Sequence, residues 1–184
     1  MEFRSYAPFA MKALGESGIF SGYASVFGIV DAHQDIIEVG AFKETLADNN
    51  HSPRVKLLWQ HLPEEPIGVL TTLREDGHGL YVEGKLLLSL QRAKEAYALL
   101  NAGSIDGLSI GFSINEAFIN PQTGIRHITS LWLWEVSLVT FPANPEAAIS
   151  SFKRQLTLQE SAHIQDLTTM IEGLIATIHT PLSF

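Results

Sequence analysis

His61, Ser109 and Glu135 are the residues whose types could together do covalent chemistry. A serine hydroxyl can attack an acyl carbon, and an imidazole can take its proton near neutral pH. A carboxylate can fix the imidazole's tautomer and stabilise the imidazolium that forms. Ser109 lies in Gly107-Leu108-Ser109-Ile110-Gly111-Phe112. In an extended strand Leu108, Ile110 and Phe112 point one way, and Ser109 and Gly111 the other. A glycine two residues beyond a hydroxyl leaves room for a substrate backbone. Taken singly, a strand serine is an ordinary structural residue. His61 closes the apolar run Val55–Trp59 and precedes Leu62-Pro63. A histidine there is either aimed into a cleft as a base or left on the surface before a turn. Glu135 interrupts the most apolar stretch, Leu131–Val139. Desolvating an unpaired carboxylate costs about several kcal/mol, so Glu135 either faces solvent or pairs with a cation or a histidine. Together the three make a base, a nucleophile and an orienter in the chain order His, Ser, Glu. Geometry and not chain order defines such a set.

The elements that must position these residues read as mostly β over the first two-thirds. Strands are expected over Gly18–Gly28, Val55–Trp59, Pro66–Arg74, His78–Leu88, Leu108–Ile114 and Ile125–Thr140. Glu75-Asp76-Gly77 is a hairpin turn in which the glycine is expected to supply a positive φ. Short helices are expected over Ala41–Asp48 and Gln91–Leu100, the second closed by Asn101-Ala102-Gly103. Phe141-Pro142-Ala143-Asn144-Pro145 breaks the last strand. Beyond Phe152 the character changes. Ile164, Leu167, Ile171, Leu174 and Ile178 recur at helical spacing, an amphipathic stripe that packs either on the chain's own barrel or on a partner or second copy. The division expected is 1–152 for the β domain and 153–184 for a helical tail.

Composition limits the classes. The 184 residues are 46% hydrophobic and 17% charged, which fits a folded domain. A net charge of −8 without a basic stripe argues against nucleic-acid binding. The absence of cysteine removes disulfides, thiolate catalysis and cysteine-ligated metals. The start lacks a basic segment followed by an apolar one, and no apolar run reaches the roughly 20 residues a membrane span needs. These features read as a soluble intracellular protein with no membrane association. Asp31, His33 and Asp35 have ligand-type side chains but read as a solvated loop whose aspartates end turns, so no metal or cofactor is expected. Trp59, Trp132 and Trp134 read as core or cleft-wall residues, and His78 as exposed.

Several segments in order resemble the prohead protease family of tailed bacteriophages: Gly22–Phe27, Asp31–Asp35 with Gly40-Ala41-Phe42, Leu57–His61 with Pro66-Ile67-Gly68, Leu108–Phe112, and Glu135–Thr140 with Pro142–Pro145. The resemblance runs over about Gly18 to Phe152. It implies a β-rich α+β fold, a compact closed β-barrel flanked by helices, related to herpesvirus assemblin. It implies His61 as base and Ser109 as nucleophile. Assemblins put a histidine where Glu135 falls and the phage enzymes a carboxylate, so His127 is kept as the alternative third member. An oxyanion donor is placed by the same resemblance at the backbone of Ala143 or Asn144. The function implied is a serine endopeptidase that cleaves capsid protein, scaffold protein or both, with self-cleavage included, inside the assembling procapsid in the host cytoplasm. Its implied partners are the major capsid protein, the scaffold and, because assemblins dimerise, a second copy. Two other readings stay open. One is a non-catalytic capsid-assembly or scaffold-binding module, and the other a small-molecule esterase.

Overall fold

The computed structural model describes residues 18–48, 54–153 and 165–172. The chain divides into two units, Met1–Lys153 and Arg154–Phe184. The first carries strands β1 (Ile19–Val26), β2 (Asp35–Ile37), β3 (Lys56–Trp59), β4 (Leu62–Glu75), β5 (Gly79–Leu86), β6 (Gly107–Ile119), β7 (Arg126–Val139) and β8 (Ala148–Lys153), with helices α1 (Lys43–Ala47) and α2 (Gln91–Asn101). Within the second, residues 165–172 are helical, with Leu167, Met170 and Ile171 exposed. Ile164, Leu174 and Ile178 of the expected stripe lie outside the described residues.

The strands run β7-β3-β4-β5-β1-β8-β6 and return to β7, a closed barrel of seven, with β2 added on β7. The expected closed β-barrel with flanking helices is therefore present. Its interior is filled by Phe20, Leu57, Ile67, Leu80, Leu108, Leu133 and Leu138, each essentially inaccessible to solvent. Closure depends on a narrow seam. β8 pairs along β1 but meets β6 only at Gly107↔Ala148, helped by Leu108 N–H to the Ala147 carbonyl (3.1 Å) and Ile149 N–H to the Asp106 carbonyl (2.8 Å). Gly22 lets β8 approach β1 at this seam, since a Cβ there would stand 2.2 Å from the Ala148 oxygen. Beyond Leu108, among the described residues, β6 has no strand on the edge away from β7. Ser109 sits where that edge becomes open.

β7 is the strand on which the site is built. β6 pairs along one edge, and the other edge is shared by β2, parallel at Arg126–Ile128, and β3, parallel at Glu135–Leu138. The gap between these two partners is covered by α1 and the turn before it. Thr45 Oγ1 donates to the Leu131 carbonyl (3.2 Å) and accepts from Leu133 N–H (3.0 Å), while Leu131 N–H reaches the Ala41 carbonyl (3.0 Å). β7 can thus change partners without leaving its buried backbone unsatisfied.

Three local expectations are corrected. The segment Leu62-Pro63 is not a turn but the start of β4, and its prolines are tolerated because the β3–β4 register is irregular there. Gly77 does not have a positive φ. The hairpin is instead made by Asp76, whose Oδ1 accepts from His78 N–H (2.9 Å) and Gly79 N–H (3.3 Å). The His78 N–H above all, with Tyr23 and Arg74 donating as well, holds the Asp76 carboxyl down to about 2, against the opposing effect of burial. Trp134 is half exposed, with its indole N–H on Ser113 Oγ, and so is not a core residue.

Candidate active site

The β6–β7 ladder sets Ser109 opposite Ser137 and Gly111 opposite Glu135. Directly opposed residues share a face, so all four lie together, while Leu108↔Leu138 and Ile110↔Val136 occupy the other. The alternation expected around Ser109 is present. Glu135 is only 8% exposed, the buried alternative of its two readings.

His61 reaches this face through a turn that costs conformational energy. β3 ends at Trp59, and both Gln60 (φ 51°) and His61 (φ 60°) are left-handed, at about 1–2 kcal/mol each for non-glycine residues. β7 holds them there. Gln60 N–H donates to the Leu138 carbonyl (2.9 Å), and its side-chain amide donates to Thr140 Oγ1 (2.8 Å) while its oxygen accepts from Thr140 N–H (3.3 Å). His61 N–H donates to Ser137 Oγ at 3.0 Å. The reversal brings His61 Nδ1 to 2.5 Å from Glu135 Oε1. An ionised carboxylate only accepts, so Nδ1 carries the proton and Nε2 is left as the basic nitrogen. The hydrogen bond to Glu135 raises the His61 pKa above its ordinary 6.5, burial opposing it and the carboxylate's charge adding to it. Glu135 Oε2 accepts from Ser137 Oγ at 2.7 Å, so both carboxylate oxygens are engaged.

His61 and Ser109 line one cleft of about 890 Å³, together with Ile110, Phe112, Phe141, Pro142, Ala143 and Asn144. Among the described residues no hydrogen bond joins Ser109 to His61; such bonds are often loose until substrate is bound. Ala143 and Asn144 lie on a braced turn. The Ala143 carbonyl accepts from Ala32 N–H (2.9 Å), and the Asn144 side-chain amide donates to the Val26 carbonyl (2.8 Å). His127, the alternative third member, is engaged elsewhere: its Nδ1 lies 2.7 Å from Glu38 Oε1 and its ring stacks on Phe118.

Gly111 lines the same cleft as Ser109, and its missing side chain has a second consequence: a Cβ there would lie 2.4 Å from Glu135 Oε1, so the glycine also makes room for the carboxylate. Asp35 is not solvated. It is buried and takes Arg126 in a two-pronged pair at 2.7 and 2.6 Å, while Asp31 Oδ1 caps its own loop through His33 N–H and Asp35 N–H. No group of three metal-type side chains stands together among the described residues. Ser137, Gln60 and Thr140 were not singled out by the sequence reasoning. The period of two from Glu135 to Ser137 was the one available signal, since it puts both on the same face.

A closed barrel that sets a serine and a histidine at one cleft, with a buried carboxylate on the histidine, is the build of a serine hydrolase. The chain belongs to the Caudovirus prohead serine protease family, whose sequence model matches residues 7–161. It is 40% identical over 141 residues to the prohead protease of Enterobacteria phage HK97, covering 76% of this chain and 62% of that one. It is 35% identical over 159 residues to the capsid polyprotein of Pseudomonas phage PAJU2, covering 82% of this chain and 22% of that one. The chain spans less than two thirds of the length of these relatives. The solved structure of the bacteriophage T4 capsid assembly protease matches with a TM-score of 0.50 at 10% identity, over 66% of this chain and 81% of that one, a likeness of fold alone.

Proposed function

We propose that this chain is a serine endopeptidase of procapsid maturation, with Ser109 as nucleophile, His61 as general base and Glu135 as orienter. The observation that carries the reading is the 2.5 Å contact between His61 Nδ1 and Glu135 Oε1, with Glu135 on the strand face of Ser109 and His61 in the same cleft as Ser109. His61 Nε2 takes the hydroxyl proton as Ser109 Oγ attacks a peptide carbonyl, and Glu135 stabilises the imidazolium. The imidazolium returns the proton to the leaving amine, and water, activated by His61, then hydrolyses the ester. The backbone N–H of Ala143 or Asn144 supplies the oxyanion donor, on a turn stiff enough to be preorganised. Substrate lies as an extended chain against the open edge of β6, where unpaired strand groups can bind it.

The substrate class is capsid and scaffold protein, with self-cleavage included. The relatives support this: one is named a prohead protease and another a capsid polyprotein. Action inside the assembling procapsid, self-association of the enzyme and a targeting role for the tail beyond the barrel belong to the same reading. The most economical test is labelling with a fluorophosphonate, which modifies an activated serine. The label is expected on Ser109 and is lost in His61→Ala. Modification elsewhere, or none in the folded protein, contradicts the assignment. Ala143→Pro, which deletes one N–H, is expected to impair peptide hydrolysis; full activity in that variant excludes Ala143 as the donor.

A further inference from the structure

His61 is tied to one carboxylate twice, by its ring and by its backbone. The ring contact is His61 Nδ1 to Glu135 Oε1 at 2.5 Å. The second route runs from His61 N–H to Ser137 Oγ at 3.0 Å, and from the Ser137 hydroxyl to Glu135 Oε2 at 2.7 Å. These contacts close a ring in which Ser137 is the only member that touches both the turn and the carboxylate. A hydroxyl has one proton to give and two lone pairs to accept with. At Ser137 the proton goes to the carboxylate, which leaves the lone pairs for the His61 amide. Ser137 is wholly buried, so bulk solvent does not compete for either contact.

We infer that Ser137 is the positioning residue of this site, fixing the direction of His61 Nε2 by locking the left-handed turn and the Glu135 carboxylate to each other. The inference rests on the reading of His61 as the base. It assigns Ser137 no contact with substrate. Glu135 alone holds the ring at one atom, about which the imidazole and the carboxylate can still swing together. Gln60 anchors the turn through Leu138 and Thr140 but does not touch the carboxylate. Ser137 removes the remaining freedom, because the residue's backbone and its ring are then referred to the same pair of oxygens. Misplacing a reacting group by about 1 Å can cost about a hundredfold in rate.

Ser137→Ala tests this with two readouts that a purely structural role would not move. The maximal rate of Ser109 labelling by a fluorophosphonate is expected to fall about 10- to 100-fold, with the probe's binding constant changed by less than about twofold. The far-downfield NMR resonance of the His61 Nδ1 proton is expected to move upfield or vanish into exchange with water. A labelling rate within about twofold of the unaltered protein, with that resonance in place, overturns the inference. If Ser137→Ala does not fold, the unaltered protein decides. The His61 amide is expected to be protected from hydrogen exchange, and exchange at the rate of an open loop refutes the contact. Failure of the catalytic reading is separable from this outcome. Capsid cleavage that persists in Ser109→Ala removes the former while leaving the resonance and the amide protection as they are.

Discussion

Glu135 shows how a single side chain carries both structural and chemical consequences. It is a buried carboxylate whose two oxygens are each engaged, one by an imidazole and one by a hydroxyl. The hydrogen bond from His61 raises that histidine's pKa, and this has a definite sign for pH dependence. A histidine whose pKa is higher folded than unfolded adds stability below its ordinary 6.5, and the gain is lost as pH rises through the folded value. Activity runs the opposite way, because only neutral His61 can accept a proton. The acid limb of kcat/KM is therefore expected above about pH 6.5. Glu135→Gln removes the main cause of the raised pKa and leaves burial to lower it, so the limb moves to lower pH. Turnover should fall about 10²- to 10⁴-fold in that variant. A pH–rate profile checks both, and an unmoved limb would contradict the assignment of Glu135. The carboxylate was legible in the sequence because an acid in so apolar a run demands a partner. Its neighbours were less so. That Gly111 also makes room for the Glu135 carboxylate was hidden because sequence spacing does not reveal which side chain lies across the ladder, and Ser137 looked like any small strand residue.

At the scale of elements, the long strands were legible from alternation, as was α2, whose Ala93, Ala96 and Leu100 are buried at helical spacing. β2 and β8 were not foreseen. β2 has three residues, and its pairing with β7 is parallel and distant in sequence, so local pattern carries no trace of it. β8 follows a segment rich in turn formers, and its role in closing the barrel is visible only once β1 and β6 stand beside it. The left-handed conformation at Gln60-His61 was also hidden: the strand was expected to end there, but a positive φ goes with glycine far more often than with either of these residues. It exists because β7 supplies the hydrogen bonds that compensate it. α1 makes the complementary contribution, bridging the part of β7 between β2 and β3. Thr45→Val keeps the side chain's shape but removes the hydroxyl that bonds both Leu131 and Leu133. It is expected to destabilise the barrel by about 1–3 kcal/mol, read as a lower denaturation midpoint at unchanged slope. A midpoint equal to that of the unaltered protein would mean that α1 does not secure β7 through this residue.

For the whole molecule, the barrel was implied by the family resemblance that the motifs carry together and not by any one of them, and the structure supplies the ring closure that no local pattern encodes. Lys153 belongs to β8, where it stands opposite Ile19, so a deletion meant to spare the barrel must begin at residue 154. Removing residues 154–184 is expected to leave Ser109 labelling intact and to abolish incorporation into procapsids, scored by assaying purified particles for the protease. Loss of labelling would instead make that segment part of the catalytic fold. The central claim, serine-dependent cleavage of shell proteins, is tested most directly by co-expressing the chain with the capsid and scaffold proteins of its source. The unaltered chain is run beside Ser109→Ala, and intact masses are measured. Shortened capsid or scaffold protein with the unaltered chain alone is the predicted result. Identical masses in both, with the protein folded and the three proteins assembled together, would contradict it and favour a non-catalytic assembly role.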